Sequence, residues 1–249
     1  AIGKQLPERY NEFKAATNLG QSLSLAGQTD SADYYFNEAL NALKNEENAD
    51  RQRAEVLTNM AGNMKRSGQL ERSLEYFQRA LRLMKKAGWV LGVSRITREI
   101  GVFYFRLGDF SQALEYFHEA HQIVEETQNY NEINTCLEFL FEGYLTLEDY
   151  DNALLHLEQA QANWLKLNEE ARNAQLSLNE GQVRLLKQEY DRARLAFLDN
   201  LAIKRQRGQM IDQEDYWYLG TAYRRLQRLD SAMVYYDKAL VAVREGADL

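Results

Sequence analysis

Small and bulky apolar residues recur along this chain of 249 residues with a period of about 40. At six places a small residue is followed four positions later by an aromatic residue or leucine. The small residues are Ala32, Ser73, Ala113, Ala153, Ala193 and Ala232, spaced 41, 40, 40, 40 and 39 apart. Another small residue precedes four of them at a fixed offset, at Gly20, Ala61, Gly101 and Gly220. Because residues four apart share a helix face, the pattern predicts pairs of closely packed helices.

Turn and helix-start residues fall between the members of each predicted pair. Gly27, Gly68 and Gly108 can adopt the left-handed conformation that ends a helix. A carboxylate, which the helix dipole favours, then opens the second helix at Asp30, Glu71, Asp151, Asp191 and Asp230. We therefore predict twelve helices in six pairs and no β-sheet. The first helices of the pairs are predicted near residues 11–26, 53–67, 92–107, 132–147, 172–187 and 212–227.

The third repeat carries the whole pattern, in Ile100-Gly101, Tyr104, Gly108, Ala113, Phe117 and Ala120. This pattern resembles the tetratricopeptide repeat, over about residues 10–245, although that repeat usually has a period near 34. The longer period is similar to repeats of Pins-type scaffolds and of bacterial signalling and pheromone-receptor proteins. The resemblance implies an all-α fold, a right-handed α-solenoid superhelix of six antiparallel helix pairs. We expect a single array over residues 1–249, with repeats near 13–53, 54–93, 94–133, 134–173, 174–212 and 213–249.

Two repeats depart from the pattern. Repeat four has Phe141 where a small residue is expected, with Gly143 nearby. Repeat five has Glu180, Arg184 and Asn200 where apolar, aromatic and alanine residues are usual. One interpretation is tolerated drift, since repeats depend on the sum of their contacts. The other is that this stretch is reshaped for a partner or a kink.

Composition and charge narrow the function classes. The formal net charge of −7 argues against a dedicated nucleic-acid binder, which needs a basic surface to displace counterions. No apolar run approaches the roughly 20 residues of a membrane span, and no signal peptide is apparent. The single cysteine, Cys136, lies in an apolar helical stretch and is expected to be buried. We expect a cytoplasmic protein, with an exported domain that lacks its signal as the alternative.

Catalytic and metal-binding patterns are not found in the sequence. His118 and His121 share a helix face, but we expect no Cys or His from elsewhere in the sequence to be available to complete the usual four ligands of a structural metal site. The glycines are scattered singly and form no phosphate-binding loop. No nucleophile and base can be paired. We therefore expect no enzyme activity, no cofactor and no metal.

The resemblance implies a partner-binding groove lined by the first helices. One groove position recurs as Asn18, Asn59, Glu99, Phe139, Asn179 and Tyr218. Amide side chains can donate to and accept from an extended peptide backbone, although asparagine is also a common surface residue. Basic residues follow nearby at Arg95, Arg98 and Arg106, with Lys65 and Arg66. The predicted site comprises Asn18, Asn59, Arg95, Arg98, Phe139, Asn179, Trp217 and Tyr218.

These features predict a scaffold that binds a protein or peptide, with an acidic segment as one candidate, as the docking or sensory part of a larger signalling or assembly protein. A carboxylate clamp for chaperone tails is not expected, because Glu99 would repel a terminal carboxylate. The alternative is a structural oligomerisation module with no peptide ligand. The last predicted helix carries Tyr235, Tyr236, Leu240 and Val243. We expect self-association or another covering segment there, because apolar patches commonly mark interfaces.

Overall fold

The computed structural model describes the backbone of residues 2–167 and 170–247, and the side chains of residues 10–167 and 172–244. Within these ranges the chain is all-α, with helices and no strand. The helices are α1 (Ile2–Leu25), α2 (Thr29–Ala42), α3 (Asp50–Arg66), α4 (Leu70–Lys86), α5 (Val90–Leu107), α6 (Phe110–Glu125), α7 (Tyr130–Thr146), α8 (Tyr150–Lys166), α9 (Glu170–Leu186), α10 (Tyr190–Gln206), α11 (Gln213–Arg225) and α12 (Leu229–Ala247).

The predicted helices and their pairing are confirmed over the described residues. The main helix contacts join α1 with α2, α3 with α4, α5 with α6, α7 with α8, α9 with α10, and α11 with α12. The starts of first helices lie within three residues of their predicted positions, with one exception. That exception is α1, which begins at Ile2 instead of near residue 11, so that Pro7 lies inside it.

The chain divides into two compact units of three helix pairs each. Unit 1 spans Ala1–Gln128 and unit 2 spans Asn129–Leu249. The boundary between them falls inside predicted repeat three. A single array over residues 1–249 stays a prediction.

The core of unit 1 repeats one contact between a small residue and a phenylalanine. Phe36, Phe77 and Phe117 are all almost fully buried. A Cβ atom built at Gly20 would lie 2.7 Å from the ring of Phe36, so glycine is required for the helices to approach this closely. Gly101 stands in the same relation to Phe117, at 2.6 Å. The spacing of small and aromatic residues therefore encodes the interhelical packing.

Unit 2 contains the repeat that departs from this contact. Phe141 replaces the small residue of the first helix, and Leu157 stands at the position of the usual phenylalanine. Both side chains are buried. Leucine at the second position offsets only part of the volume that Phe141 adds, so this pair buries more side-chain volume at the two positions than the other repeats do. The unusual sequence of repeat four is thus compatible with the same helix pairing.

The polar residues of repeat five contact polar neighbours, although the side-chain oxygen of Asn200 is buried without a hydrogen-bond partner. The Arg184 guanidinium lies 2.6 Å from the carboxylate of Glu180 and 2.9 Å from that of Glu189. Asn200 is fully buried and donates to Asp215 at 2.6 Å, and Lys204 lies 2.5 Å from the same carboxylate. These departures from the repeat pattern occur in complementary sets, which gives them a structural role within unit 2.

Each helix pair is joined by a turn with one residue in the left-handed conformation. In unit 1 this residue is the predicted glycine, with φ of 76° at Gly27, 77° at Gly68 and 81° at Gly108. In unit 2 the same position is occupied by Glu148, Gln188 and Gln227, with φ between 58° and 61°. The fold therefore requires this conformation even where the residue is not glycine.

Candidate partner-binding groove

A groove opens in unit 1 between the first helices of its three pairs. It has a volume of about 840 Å³ and is lined by α1, α3 and α5 together with the residues that precede α5. Three predicted site residues line it: Asn18 from α1, Asn59 from α3 and Arg95 from α5. Asn18 and Asn59 lie one repeat apart, and Arg95 lies about one turn before Glu99, the next equivalent position, so helical periodicity turns all three to the same side.

Part of the groove lining is polar but uncharged. Asn18 and Asn59 are accompanied by Thr17, Thr58 and Gln21. The hydroxyl groups of Thr17 and Thr58 each donate to a carbonyl four residues earlier in their own helix, at 2.8 Å. The amide side chains are therefore the groups in this row best able to both donate to and accept from a bound backbone.

Positive charge predominates along the walls. Lys14, Arg51 and Arg95 line the groove, and Glu55 is the one carboxylate among the lining residues described. The Arg51 guanidinium lies 3.5 Å from the Glu55 carboxylate and 3.5 Å from the centre of the Trp89 ring. Three cations against one carboxylate favour an anionic ligand within a chain whose net charge is −7.

The other predicted basic residues do not line this groove. Arg98 is buried, with 8% of its surface exposed. Lys65 lies 3.4 Å from Glu99, and Arg66 donates to the hydroxyl of Ser24. The basic stretch predicted from sequence therefore separates into one groove residue, Arg95, and three side chains held within the helical framework. Arg106 is exposed and does not line the groove.

Sequence reasoning missed Lys14, Arg51 and Trp89 as groove residues. The repeat spacing carried a signal for Lys14, because the positions 41 and then 40 residues further on are Glu55 and Arg95. Trp89 lies just before α5, at the N-cap position, where the repeat pattern prescribes no residue. Its approach to Arg51 could be seen only in the tertiary structure.

The predicted residues of unit 2 separate into two sets. Trp217 and Tyr218 line a cavity of about 560 Å³ between α11 and α12, with Tyr236, Leu240 and Val243. Phe139 and Asn179 do not line that cavity. Phe139 is partly buried on α7, and Asn179 accepts a hydrogen bond from Gln175 at 3.0 Å. Whether any of these side chains contacts a partner stays a prediction.

The outer face of α12 exposes apolar side chains. Leu240 is 54% exposed and Val243 is 50% exposed. The equivalents of Val243 one and two repeats earlier in the chain are Lys204 and Trp164, and both are largely shielded from solvent. The apolar face predicted from sequence is therefore present in the structure.

The described residues hold no group of three or more His, Cys, Asp and Glu side chains placed to bind a metal ion. Burial lowers the pKa of His118, with the nearby His121 adding to that effect, and burial lowers the pKa of His121 as well. Among the same residues, no helix has the length and apolar character needed to cross a bilayer.

Comparison with known sequences identifies one repeat family. A family profile described as tetratricopeptide repeat matches residues 11–86 and 92–162, which together cover more than half of the chain. A second profile with the same description matches residues 216–240. No curated protein matches the chain at a significant level.

Solved structures share the fold at low sequence identity. BtubC (BKLC) from P. vanneervenii is 20% identical with a TM-score of 0.77, over 90% of this chain and 93% of that one. A signal-transduction ATPase with a tetratricopeptide repeat sensor from Pyrococcus horikoshii is 12% identical with a TM-score of 0.76, over 96% and 38%. A Rap protein complexed with competence and sporulation factor is 17% identical with a TM-score of 0.60, over 97% and 66%. At these identities the likeness shows the fold alone.

Proposed function

Because the chain belongs to the tetratricopeptide repeat family, whose members are helical scaffolds for protein–protein interaction and generally non-catalytic, we propose that it binds an extended segment of a partner protein in the groove of unit 1. The bound segment is acidic. The chain would thereby act as the docking or sensory part of a larger signalling or assembly protein.

The arrangement of groups in the groove is the observation that carries this proposal. Amides at Asn18 and Asn59 lie one repeat apart and offer paired donor and acceptor groups to a peptide backbone. Lys14, Arg51 and Arg95 supply positive charge along the same groove. A segment with acidic side chains would satisfy both sets of groups at once.

Two similar structures support a docking or sensory role by analogy. The Rap protein was solved with competence and sporulation factor bound. In the Pyrococcus horikoshii protein the tetratricopeptide repeats are described as a sensor.

A random peptide library displayed on phage tests the groove directly. The library is selected on the purified chain, and enriched peptides are then measured by calorimetry. We expect the double variant Asn18→Ala with Asn59→Ala to weaken binding by about tenfold or more, since two hydrogen bonds are each worth about 0.5–1.5 kcal/mol. The control is Asn41→Ala with Asn131→Ala, which removes two exposed amides that do not line the groove. Selection without enrichment, or equal loss in both double variants, would contradict the proposal.

A second candidate function is oligomerisation through the apolar face of α12. The half-exposed side chains of Leu240 and Val243 favour it, together with the adjoining cavity that Trp217 lines. Light scattering after size exclusion should show a mass that rises with protein concentration. Leu240→Lys with Val243→Lys should keep the chain monomeric, whereas the Asn18 and Asn59 variants should not. A wild-type chain that stays monomeric at high micromolar concentration would exclude this function.

A further inference from the structure

Arg51 is held in place by two groups from different parts of unit 1. Its guanidinium lies 3.5 Å from the centre of the Trp89 ring, which comes from the segment before α5. The same guanidinium lies 3.5 Å from the carboxylate of Glu55, one turn further along α3. A guanidinium at this distance over an indole face gains a cation–π attraction, and its planar donors are pre-organised for a carboxylate.

The position of the Trp89 ring depends in turn on the absence of a side chain at Gly92. A Cβ atom at Gly92 would lie 2.4 Å from the Trp89 ring and 2.9 Å from the sulfur of Met84. Any side chain at residue 92 would therefore displace the indole, and with it the support under Arg51. By contrast, a Cβ atom at Gly62 on α3 would come no closer than 3.8 Å to a neighbouring group, the guanidinium of Arg66.

Arg51 and Trp89 together form a wall shared by two cavities. Both line the groove, and both line a second cavity of about 800 Å³ formed by the segments around residues 46–53 and 86–89. The other cations of the second cavity contact protein acceptors: Lys86 lies 2.8 Å from Asp50, and Arg53 lies 3.1 Å from Asp50 and donates to the carbonyl groups of Leu43 and Glu46. Arg51 is half exposed, with 52% of its side chain accessible.

Donor capacity remains at Arg51 after these contacts. A guanidinium has five N–H donors, and the stacking on Trp89 uses its face and not its edge. Glu55 is a single carboxylate at a distance beyond a short hydrogen bond. The edge that is not turned to Glu55 can therefore accept a second carboxylate from a molecule lying in the groove.

We infer that Arg51, stacked on Trp89, selects a carboxylate side chain of the bound segment at this wall, and that Trp89 and Gly92 are its positioning residues. The inference rests on the proposed function, since it assigns one specificity-determining contact of the same groove. The occupant is an Asp or Glu residue of an extended protein segment. Its neutral amide counterpart would lose the charge-assisted contact.

The experiment uses the peptides that the phage selection enriches. Each peptide is synthesised as selected and again with every Asp and Glu replaced by Asn and Gln, and both forms are titrated into the chain and its variants. We expect Arg51→Met to weaken binding of the acidic form by about tenfold or more and to leave the neutral form unchanged. Arg51→Lys should recover only part of the affinity, because an ammonium keeps the charge but loses the planar fork.

The positioning role of Trp89 and Gly92 has its own readout. Trp89→Leu and Gly92→Ala should weaken the acidic peptide severalfold, whereas Gly62→Ala should bind it as the wild type does. In a chain carrying Trp164→Phe and Trp217→Phe, Trp89 is the remaining tryptophan, and its fluorescence should change when the acidic peptide is added. Adding Gly92→Ala to that chain should alter its emission before any peptide is present. Circular dichroism of each variant checks that helix content is retained.

The outcomes separate the inference from the function on which it rests. A library that yields no binder overturns the proposed function and the inference with it. The inference alone is overturned by peptides that lose affinity for the Asn18 and Asn59 double variant but bind Arg51→Met as tightly as wild type. It is also overturned if such peptides bind equally well as neutral amides. Loss of affinity in Gly62→Ala equal to that in Gly92→Ala would show that the effect is not carried by the seating of Trp89.

Discussion

Units 1 and 2 use the same helix pair and place their positive charges differently. In unit 1, Lys14, Arg51 and Arg95 line an open groove. In unit 2, the side chains of Arg184 and Lys204 are largely shielded from solvent and form ion pairs with carboxylates of the same unit. The groove position of Lys14 recurs in unit 2 as Thr135, Gln175 and Glu214, none of them basic. One architecture can therefore direct its cations either toward a ligand or toward its own stability.

The two units also differ in how they form the turn inside each pair. Unit 1 uses glycine in all three turns, and unit 2 uses Glu148, Gln188 and Gln227 in the same left-handed conformation. A left-handed conformation costs a residue with a Cβ roughly 1 kcal/mol more than glycine. Unit 2 therefore carries local strain that its packing and ion pairs must offset.

The different placement of positive charges in the two units predicts that mutations of cations affect binding in unit 1 and stability in unit 2.

Removal of Arg184 should have the largest effect. Its side chain is 12% exposed and contacts Glu180 and Glu189, so Arg184→Met removes the cation beside Glu180 and leaves Glu189 with Lys187 and Arg192. We expect a loss of about 2–4 kcal/mol in the free energy of unfolding, measured by urea denaturation, because breaking a buried ion pair is strongly destabilising. The control Arg192→Met removes an arginine that is 69% exposed and should change it by less than about 0.5 kcal/mol.

A companion variant sharpens the same result. Glu180→Leu with Arg184→Tyr restores the residue types usual for the repeat and removes both charges together. This double variant should be nearly as stable as wild type, since apolar replacement of an ion pair is often neutral. A double variant as unstable as Arg184→Met would mean that the ion network itself is required by unit 2.

Charge reversal in the groove of unit 1 should have the next largest effect, on binding and not on stability. Lys14→Glu with Arg95→Glu should weaken binding of an acidic peptide by about 2 kcal/mol, roughly thirtyfold, because two charge-assisted contacts become repulsive. Calorimetry at low and high salt measures it, and added salt should reduce the difference. Arg225→Glu with Arg228→Glu makes the same change of charge at exposed positions of unit 2 and should leave affinity unchanged.

Exchanging the turn residues tests the second difference between the units. Gln188→Gly should raise the free energy of unfolding by about 1 kcal/mol, and Gly68→Gln should lower it by a similar amount, because the turn needs a positive φ. Gln78→Gly, on the exposed face of α4, should instead lower stability by about 1 kcal/mol. Equal effects of glycine at residues 78 and 188 would contradict the strain assigned to unit 2.

The smallest expected effect is on how the free energy of unfolding decreases at acidic pH. Desolvation alone would raise the pKa of Glu189. The neighbouring cations Arg184, Arg192 and Lys187 favour the carboxylate and hold this pKa below its usual 4.5. A lowered folded-state pKa means that this stabilisation is present above pH 4.5 and is lost as the pH falls through the folded-state pKa. Solvent screening keeps the contribution modest. Urea denaturation from pH 6 down to pH 3 should show a smaller loss in Glu189→Gln than in wild type.

Local pattern was sufficient to predict the fold of each pair. The spacing of Ala113 and Phe117 predicted helices because the small residue and the ring four positions later must share a face, and no other regular structure has that period. The start of α1 was missed, because the sequence before residue 10 has no repeat contact to reveal it. The sequence left open whether Phe141 marks tolerated drift or a reshaped stretch, and its burial, like that of Leu157, is seen only in the structure.

The sequence by itself determined the helices, their pairing, the turns and the absence of a recognisable catalytic pattern, because each of these depends on residues close along the chain. It also placed Asn18, Asn59 and Arg95 at groove positions, because corresponding positions on the first helices of successive pairs face the same side. Only the tertiary structure decided that Arg98 is buried, and that Arg51 stacks on Trp89. Those outcomes depend on contacts between residues distant in the chain, which a period of 40 residues does not specify.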